Sequence, residues 1–309
     1  MAKKDATTKL LTKDNDVFAE LFNSFVFGKS VVDPKKLQEK DTSAIAMVFS
    51  KIAVREKFRD VLKHAELKTD DRFSYFLLGL ENQSDIHYAM PVRTMLYDAI
   101  SYSQQIADTS RHMRKDNERK YSDQEWLSGF PKDGIIKPVI TLVLCWSPEK
   151  WDGPRSLYEM MDRNVIESYG SLIEDYRLHL ASVSEIEDEQ LQSFKTDIGL
   201  ALEFSKYSNE NKKLEEFSKD DRFRNRSNEF VATINEMTKT QFSLNMKGGT
   251  VDMCEGLVKL CDEYFEKGES KGRIEGISET IQKVEKVLRS EGNSEEYIQS
   301  ICSKIESLK

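Results

Sequence analysis

All six prolines of this chain, Pro34, Pro91, Pro131, Pro138, Pro148 and Pro154, lie in its first half. A helix interior tolerates proline poorly, because the ring removes an amide donor and clashes with the preceding turn. The residues after Pro154 are therefore free to run as long helices, while the first half is divided into shorter elements. Charge divides at the same place. Residues 1–154 carry 24 Lys and Arg against 23 Asp and Glu, so most of the formal net charge of −8 belongs to the remainder. At 309 residues the chain exceeds the usual length of one compact domain, and one large domain or two unequal ones are expected.

Periodicity in the first half predicts a helix over Asp16–Phe25, with Val17, Phe18, Leu21, Phe22 and Phe25 at helical spacing. Strands are expected at Ile45–Ile52, Phe58–Leu67 and Phe73–Leu80, the last two joined as a hairpin by the turn pair Asp70–Asp71. Pro91 opens an amphipathic helix reaching Ile106, residues 108–134 read as polar turns, and Val139–Trp146 reads as a strand covered on both faces. Beyond Pro154 the expectation is helices alone, roughly Pro154–Met161, Gln190–Tyr207, Asp221–Thr238, Asp252–Gly268, Ile277–Ser290 and Glu295–Leu308. Asn293 with Glu296 has the form of a capping box. Gly268, Gly272 and Gly276 form a small-residue stripe that suits self-association or a charged joint.

The run Phe73–Gln83 ends its apolar stretch in Glu81-Asn82-Gln83. Side chains two apart on a strand share a face, so Glu81 and Gln83 are expected to point the same way. With Asp60 upstream, two carboxylates and the peptide oxygen of Asn82 make an oxygen set suited to Mg²⁺, or to Mn²⁺ or Ca²⁺. A metal-bound water is more acidic than bulk water, and Gln83 is placed to orient it. Glu20 on the first helix is the further acidic candidate, with Asp16 one turn earlier as its rival. The plainer reading makes Asp60 a strand-edge charge and Glu81 a residue at the start of a loop.

Several stretches together resemble a known family: Glu20-Leu-Phe-Asn23, Asp33-Pro-Lys-Lys-Leu37, Arg59-Asp60-Val-Leu, Gly79-Leu-Glu-Asn-Gln-Ser84, His87 through Asp98, Lys137 through Leu144, and Trp151 through Tyr158. The chain is similar to the YhgA-like transposases, also called recombination-promoting nucleases (Rpn), of the PD-(D/E)XK nuclease superfamily. The similarity is dense from about residue 16 to 162 and looser beyond. It implies an α/β nuclease-like core in residues 1–162, built as helix, three strands, helix, strand in a mixed sheet. An all-helical C-terminal region follows in 163–309, with a self-association tail from about 268. It also implies a Mg²⁺-dependent endonuclease that hydrolyses DNA phosphodiesters in recombination or in mobile elements. Asp60 and Glu81 match the family's metal ligands, Glu20 its helix-one acid, and Gln83 the place usually held by lysine. That glutamine removes a cation from the site, which leaves a weak or inactive nuclease-fold binding module as the alternative.

Partners follow from the charge map. A net charge of −8 opposes tight binding of nucleic acid by the whole chain, but residues 111–120 hold five Lys or Arg. Arg111, Arg114 and Lys115 in that stretch, and Arg93 on the preceding helix, are the expected DNA contacts, Arg93 with an ordinary surface charge as its rival role. His87 is a candidate base or a capping residue, and Trp146 and Trp151 are stacking candidates or a hydrophobic corner. The four cysteines form no CxxC pair, so neither a zinc site nor a disulfide framework is expected. No apolar stretch approaches a membrane span or signal core, which points to the cytoplasm, and a homodimer through the C-terminal helices is the expected assembly.

Overall fold

The computed structural model describes residues 10–40, 61–69, 72–116, 118–245, 249–290 and 292–306. The strand expected at Ile45–Ile52, the Asp70–Asp71 turn and Asp60 lie outside the described residues. The molecule is mixed α/β, with one five-stranded sheet. Contacts divide the chain into two units, one comprising Met1–Ser208 with Arg226–Val251 and the other Asn209–Asn225 with Asp252–Lys309.

In the larger unit, helix α1 (Asn15–Phe22) starts where the Asp14 carboxylate accepts the amides of Asp16 and Val17. It buries Val17, Phe18, Ala19, Leu21 and Phe22. One wider π turn, Asn23–Phe27, then carries the chain to Gly28, whose φ of 63° ends it in the left-handed region. The sheet runs β1 (Gln38–Glu39), β2 (Val61–Thr69), β3 (Arg72–Gln83), β4 (Val139–Cys145) and β5 (His179–Ser182), neighbours in that order. β1–β2 and β2–β3 are antiparallel, and β3–β4 and β4–β5 are parallel. Thr69 pairs with Arg72, so β2 and β3 form the expected hairpin. Parallel neighbours need a crossover, which helix α2 (Met90–Met113) supplies between β3 and β4.

Alternation along the strands divides the residues between two faces. On one, Leu62, Leu77 and Val139 pack with Tyr97 of α2, and Leu96, Ile100 and Tyr102 close against them. Glu81 falls on this face. On the other, Lys63 lies beside α1: its ammonium donates to the Lys13 carbonyl at 2.7 Å and to Asn15 Oδ1 at 2.5 Å, 4.8 Å from the Phe18 ring centre.

Several expected boundaries are corrected. α2 continues to Met113, and a short helix α3 (Asp123–Ser128) stands in the stretch read as turns, started by a reciprocal Ser122–Glu125 cap. The second half is not helical throughout, because β5 joins the sheet beside β4. Pro154–Met161 contains only a 3₁₀ turn at Tyr158–Met160, and the helix α4 (Arg163–Tyr169) follows it. The segment read as one helix from Gln190 to Tyr207 is two, α5 (Asp188–Ser193) and α6 (Ile198–Lys206). They separate because the Lys195 and Thr196 amides donate to the Glu20 carboxylate at 2.7 and 3.1 Å instead of to a preceding turn. Asp221–Thr238 likewise divides, a 3₁₀ turn at Asp221–Phe223 preceding the helix that starts at Asn228; Asn225 between them has a φ of 54°.

The smaller unit contains α7 (Asn211–Ser218), α9 (Cys254–Ser290) and α10 (Glu295–Glu306), while α8 (Asn228–Thr238) belongs to the larger one. Two helices expected on either side of the glycine stripe are one continuous α9, about 55 Å long at 1.5 Å per residue. Phe217 and Phe223 pack with ring centres 5.0 Å apart, and Leu257, Ile298 and Cys302 are buried. The cap of α10 is Ser294 rather than Asn293, its hydroxyl accepting the Tyr297 amide.

Candidate functional site

β3 delivers Glu81 and Gln83 at the carboxyl end of its parallel pairing with β4, where Glu81 is in register with Val143 and Gln83 with Cys145. In open α/β sheets such ends, next to a crossover, are where ligands settle. The two side chains do share a face, and the Gln83 amide donates to Glu81 Oε1 at 2.9 Å. Pro91 sits in the first turn of α2, which brings Arg93 over the same strand end. An Arg93 guanidinium nitrogen stands 2.8 Å from Glu81 Oε1, and its Nε donates to the Tyr97 hydroxyl at 2.8 Å, one helical turn along. Glu81 is 1% exposed. Burial strengthens the attraction and also makes the pair intolerant of losing one member.

Arg93 is thus a largely buried cation paired with the candidate carboxylate rather than an ordinary surface charge. Asn82 turns its side chain to the opposite face, where it donates to Thr12 Oγ1 at 3.2 Å and accepts the Trp146 indole N–H at 3.0 Å. Its peptide oxygen belongs to the β3 backbone, which pairs with β4 at Leu144.

Glu20 is engaged elsewhere. Both carboxylate oxygens accept from the link between α5 and α6, through the amides of Lys195 and Thr196 and the Thr196 hydroxyl at 2.6 Å. Asp16 is exposed at the first turn of α1. The His87 carbonyl accepts the Met90 amide at the start of α2. Trp146 and Trp151 are both buried, with indole donors committed to Asn82 and to the Gly153 carbonyl, so they are a hydrophobic corner and not a stacking platform.

The remaining expected DNA contacts are at the other end of α2. Arg111 is eighteen residues from Arg93, about 27 Å along the helix. It pairs with Asp108, while Arg114 and Lys115 are exposed just beyond.

Among the described residues, no group of three or more His, Cys, Asp or Glu is placed to hold a metal ion. Glu81 offers the hard oxygen that Mg²⁺ prefers, but one carboxylate is too few, and the second ligand of the metal reading, Asp60, lies outside the described residues. Val61, next to it in sequence, pairs with Leu80, next to Glu81. Among the described residues, no helix is long and apolar enough to cross a membrane. Comparison with protein-family models, curated proteins and solved structures finds no match to this chain.

Proposed function

We propose that the carboxyl end of β3 is the centre of a divalent-metal-dependent nuclease that hydrolyses DNA phosphodiesters. The supporting observation is the convergence of Gln83 and Arg93 on one oxygen of Glu81 at the end of a parallel strand beside a crossover helix. Among the described elements, the order α1, antiparallel hairpin, α2, parallel β4 supports this reading; the first of the three strands that the resemblance implies lies outside the described residues. Glu81 would take one ligand position and Asp60 the second. The bound ion supplies charge neutralisation and a more acidic water.

The chain's own groups have separate tasks. Gln83, neutral and anchored to Glu81, orients a water by its carboxamide without competing for protons. Arg93, fixed between Glu81 and Tyr97, offsets charge that builds on phosphoryl oxygens as the bond to the leaving oxygen lengthens. The role in recombination or mobile elements rests on the resemblance.

One observation favours a second reading. Glu81 already has an internal cation, so a binding module of nuclease fold needs no metal at this position. Calorimetric titration with Mn²⁺ separates the two. The nuclease reading expects binding by the native protein that is lost in Asp60→Asn, and the absence of binding by the folded native protein favours the module. A panel of duplex DNA, single-stranded DNA and RNA then tests the substrate class.

A further inference from the structure

A second concentration of charge lies some distance from Glu81, on the same sheet face. The Lys40 amide donates to the Leu62 carbonyl at 2.8 Å, continuing β1, and His64 is two residues along β2 from Leu62. Lys137 precedes β4 and is pinned by α2: Gln105 accepts its amide at 2.7 Å and donates to its carbonyl at 3.0 Å. Its ammonium stands 5.6 Å from the Tyr75 ring centre. No carboxylate makes an ion pair with Lys40, His64 or Lys137 among the described residues. Glu66 is paired with Lys36, and Asp108, whose charge reaches Lys40, is held by Gln104 and Arg111. Burial pushes the Lys40 ammonium down from its ordinary value, with the Asp108 carboxylate opposing the shift and the charge of Lys137 adding to it. Burial, then the charges of Lys137 and Lys40, push the His64 imidazole down.

Basic groups gathered in this way repel one another until an anion comes between them. Lys40 is opposite Leu62, the partner of Gly79, and Lys137 comes two residues before Val139, the partner of Leu77, so the two lysines sit on different strands and at different levels of one face. A basic patch assembled in this way from several strands complements a chain of phosphates. Lys137, beside Tyr75, is about 20 Å from Glu81 along β3, whereas Lys40, level with Gly79 through Leu62, is nearer to it. The geometry points to Lys40, His64 and Lys137, extended by Arg111, as a track for the phosphate backbone of a nucleic-acid duplex that runs along this face toward Glu81. The identity of the polymer as DNA rests on the nuclease reading, but the track binds duplex whether or not Glu81 cuts it.

The test is binding of a labelled 24-base-pair DNA duplex (about 24 base pairs sets a ligand longer than the track), measured by fluorescence anisotropy over a salt series with chelator present. Each phosphate contact contributes about 0.9 to the slope of log affinity against log salt, so the folded double variant Lys40→Gln/Lys137→Gln should lose about 1.8. A control of equal charge, Lys212→Gln/Lys286→Gln, should keep the native slope. A native slope in the first variant, or no duplex binding by the native protein at low salt, overturns the track. So does a His64 imidazole NMR signal that moves with inorganic phosphate but not with duplex, since the site then takes a free anion. If the track slope changes as expected while the native protein cuts no DNA, only the nuclease reading fails. Normal cutting with an unchanged slope removes the track alone.

Discussion

Arg93 and Gln83 donate to the same oxygen of Glu81, one from the first turn of α2 and the other from the same strand two residues on. A buried carboxylate held from two elements makes this corner both rigid and costly to disturb. Removing one partner of such an ion pair typically costs about 3–5 kcal/mol, because the other charge is left buried. Arg93→Met is therefore expected to lower unfolding free energy by about that much, and Arg93→Met combined with Glu81→Leu to recover a large part of it. Urea denaturation of the two variants checks this, and equal losses would contradict the pairing.

Lys63 ties the strand hairpin to the N-terminal elements through Lys13 and Asn15. Lys63→Met keeps much of the apolar stem but leaves two acceptors without their donor, a cost of about 1–3 kcal/mol. Hydrogen exchange at residues 11–17 should rise in this variant. Unchanged protection there would show that Lys63 does not hold the segment.

Glu20 joins α1 to the break between α5 and α6, accepting two amides and one hydroxyl. Glu20→Ala leaves two amides and a hydroxyl without their acceptor and should cost about 1–3 kcal/mol, with faster exchange at Lys195 and Thr196. Native exchange at those two amides would place the restraint elsewhere.

His64 gives the larger unit a pH dependence of known sign. Burial, then the charges of Lys137 and Lys40, hold its imidazole below the ordinary value of 6.5. Between the folded and the ordinary value the unfolded chain binds the proton and the folded chain does not, so stability rises with pH there. The contribution is complete above about pH 6.5 and is lost as the pH falls toward the lowered folded value. His64→Gln should flatten the acid limb of a melting-temperature profile, and an unaltered limb would contradict the assignment.

What the residues disclosed in advance follows from the range of the forces involved. The apolar run Phe73–Leu80 and the two-residue alternation through Gln83 are local, and β3 and the shared face of Glu81 and Gln83 are where those patterns indicate. Pro91 marked the start of α2 for the same reason. The α5–α6 break was hidden, because it depends on Glu20, about 175 residues away in sequence. β5 has only four residues with an exposed His179 at its head, too little pattern to distinguish a strand from a helix end. The Ser122-x-x-Glu125 spacing is itself a local helix-start signal within the stretch of polar turns. Arg93 reads in sequence as a DNA contact or an ordinary surface charge, because nothing in a helix pattern reports which strand end it faces.

Cleavage of supercoiled plasmid DNA in Mg²⁺ by the native protein and by Glu81→Gln, each shown to be folded by circular dichroism, tests the central claim most directly. The account predicts nicking by the native protein and loss of at least 100-fold in the variant, on the order of what one charge-stabilising group contributes. Equal cutting by both proteins, or none by the native one, would contradict it.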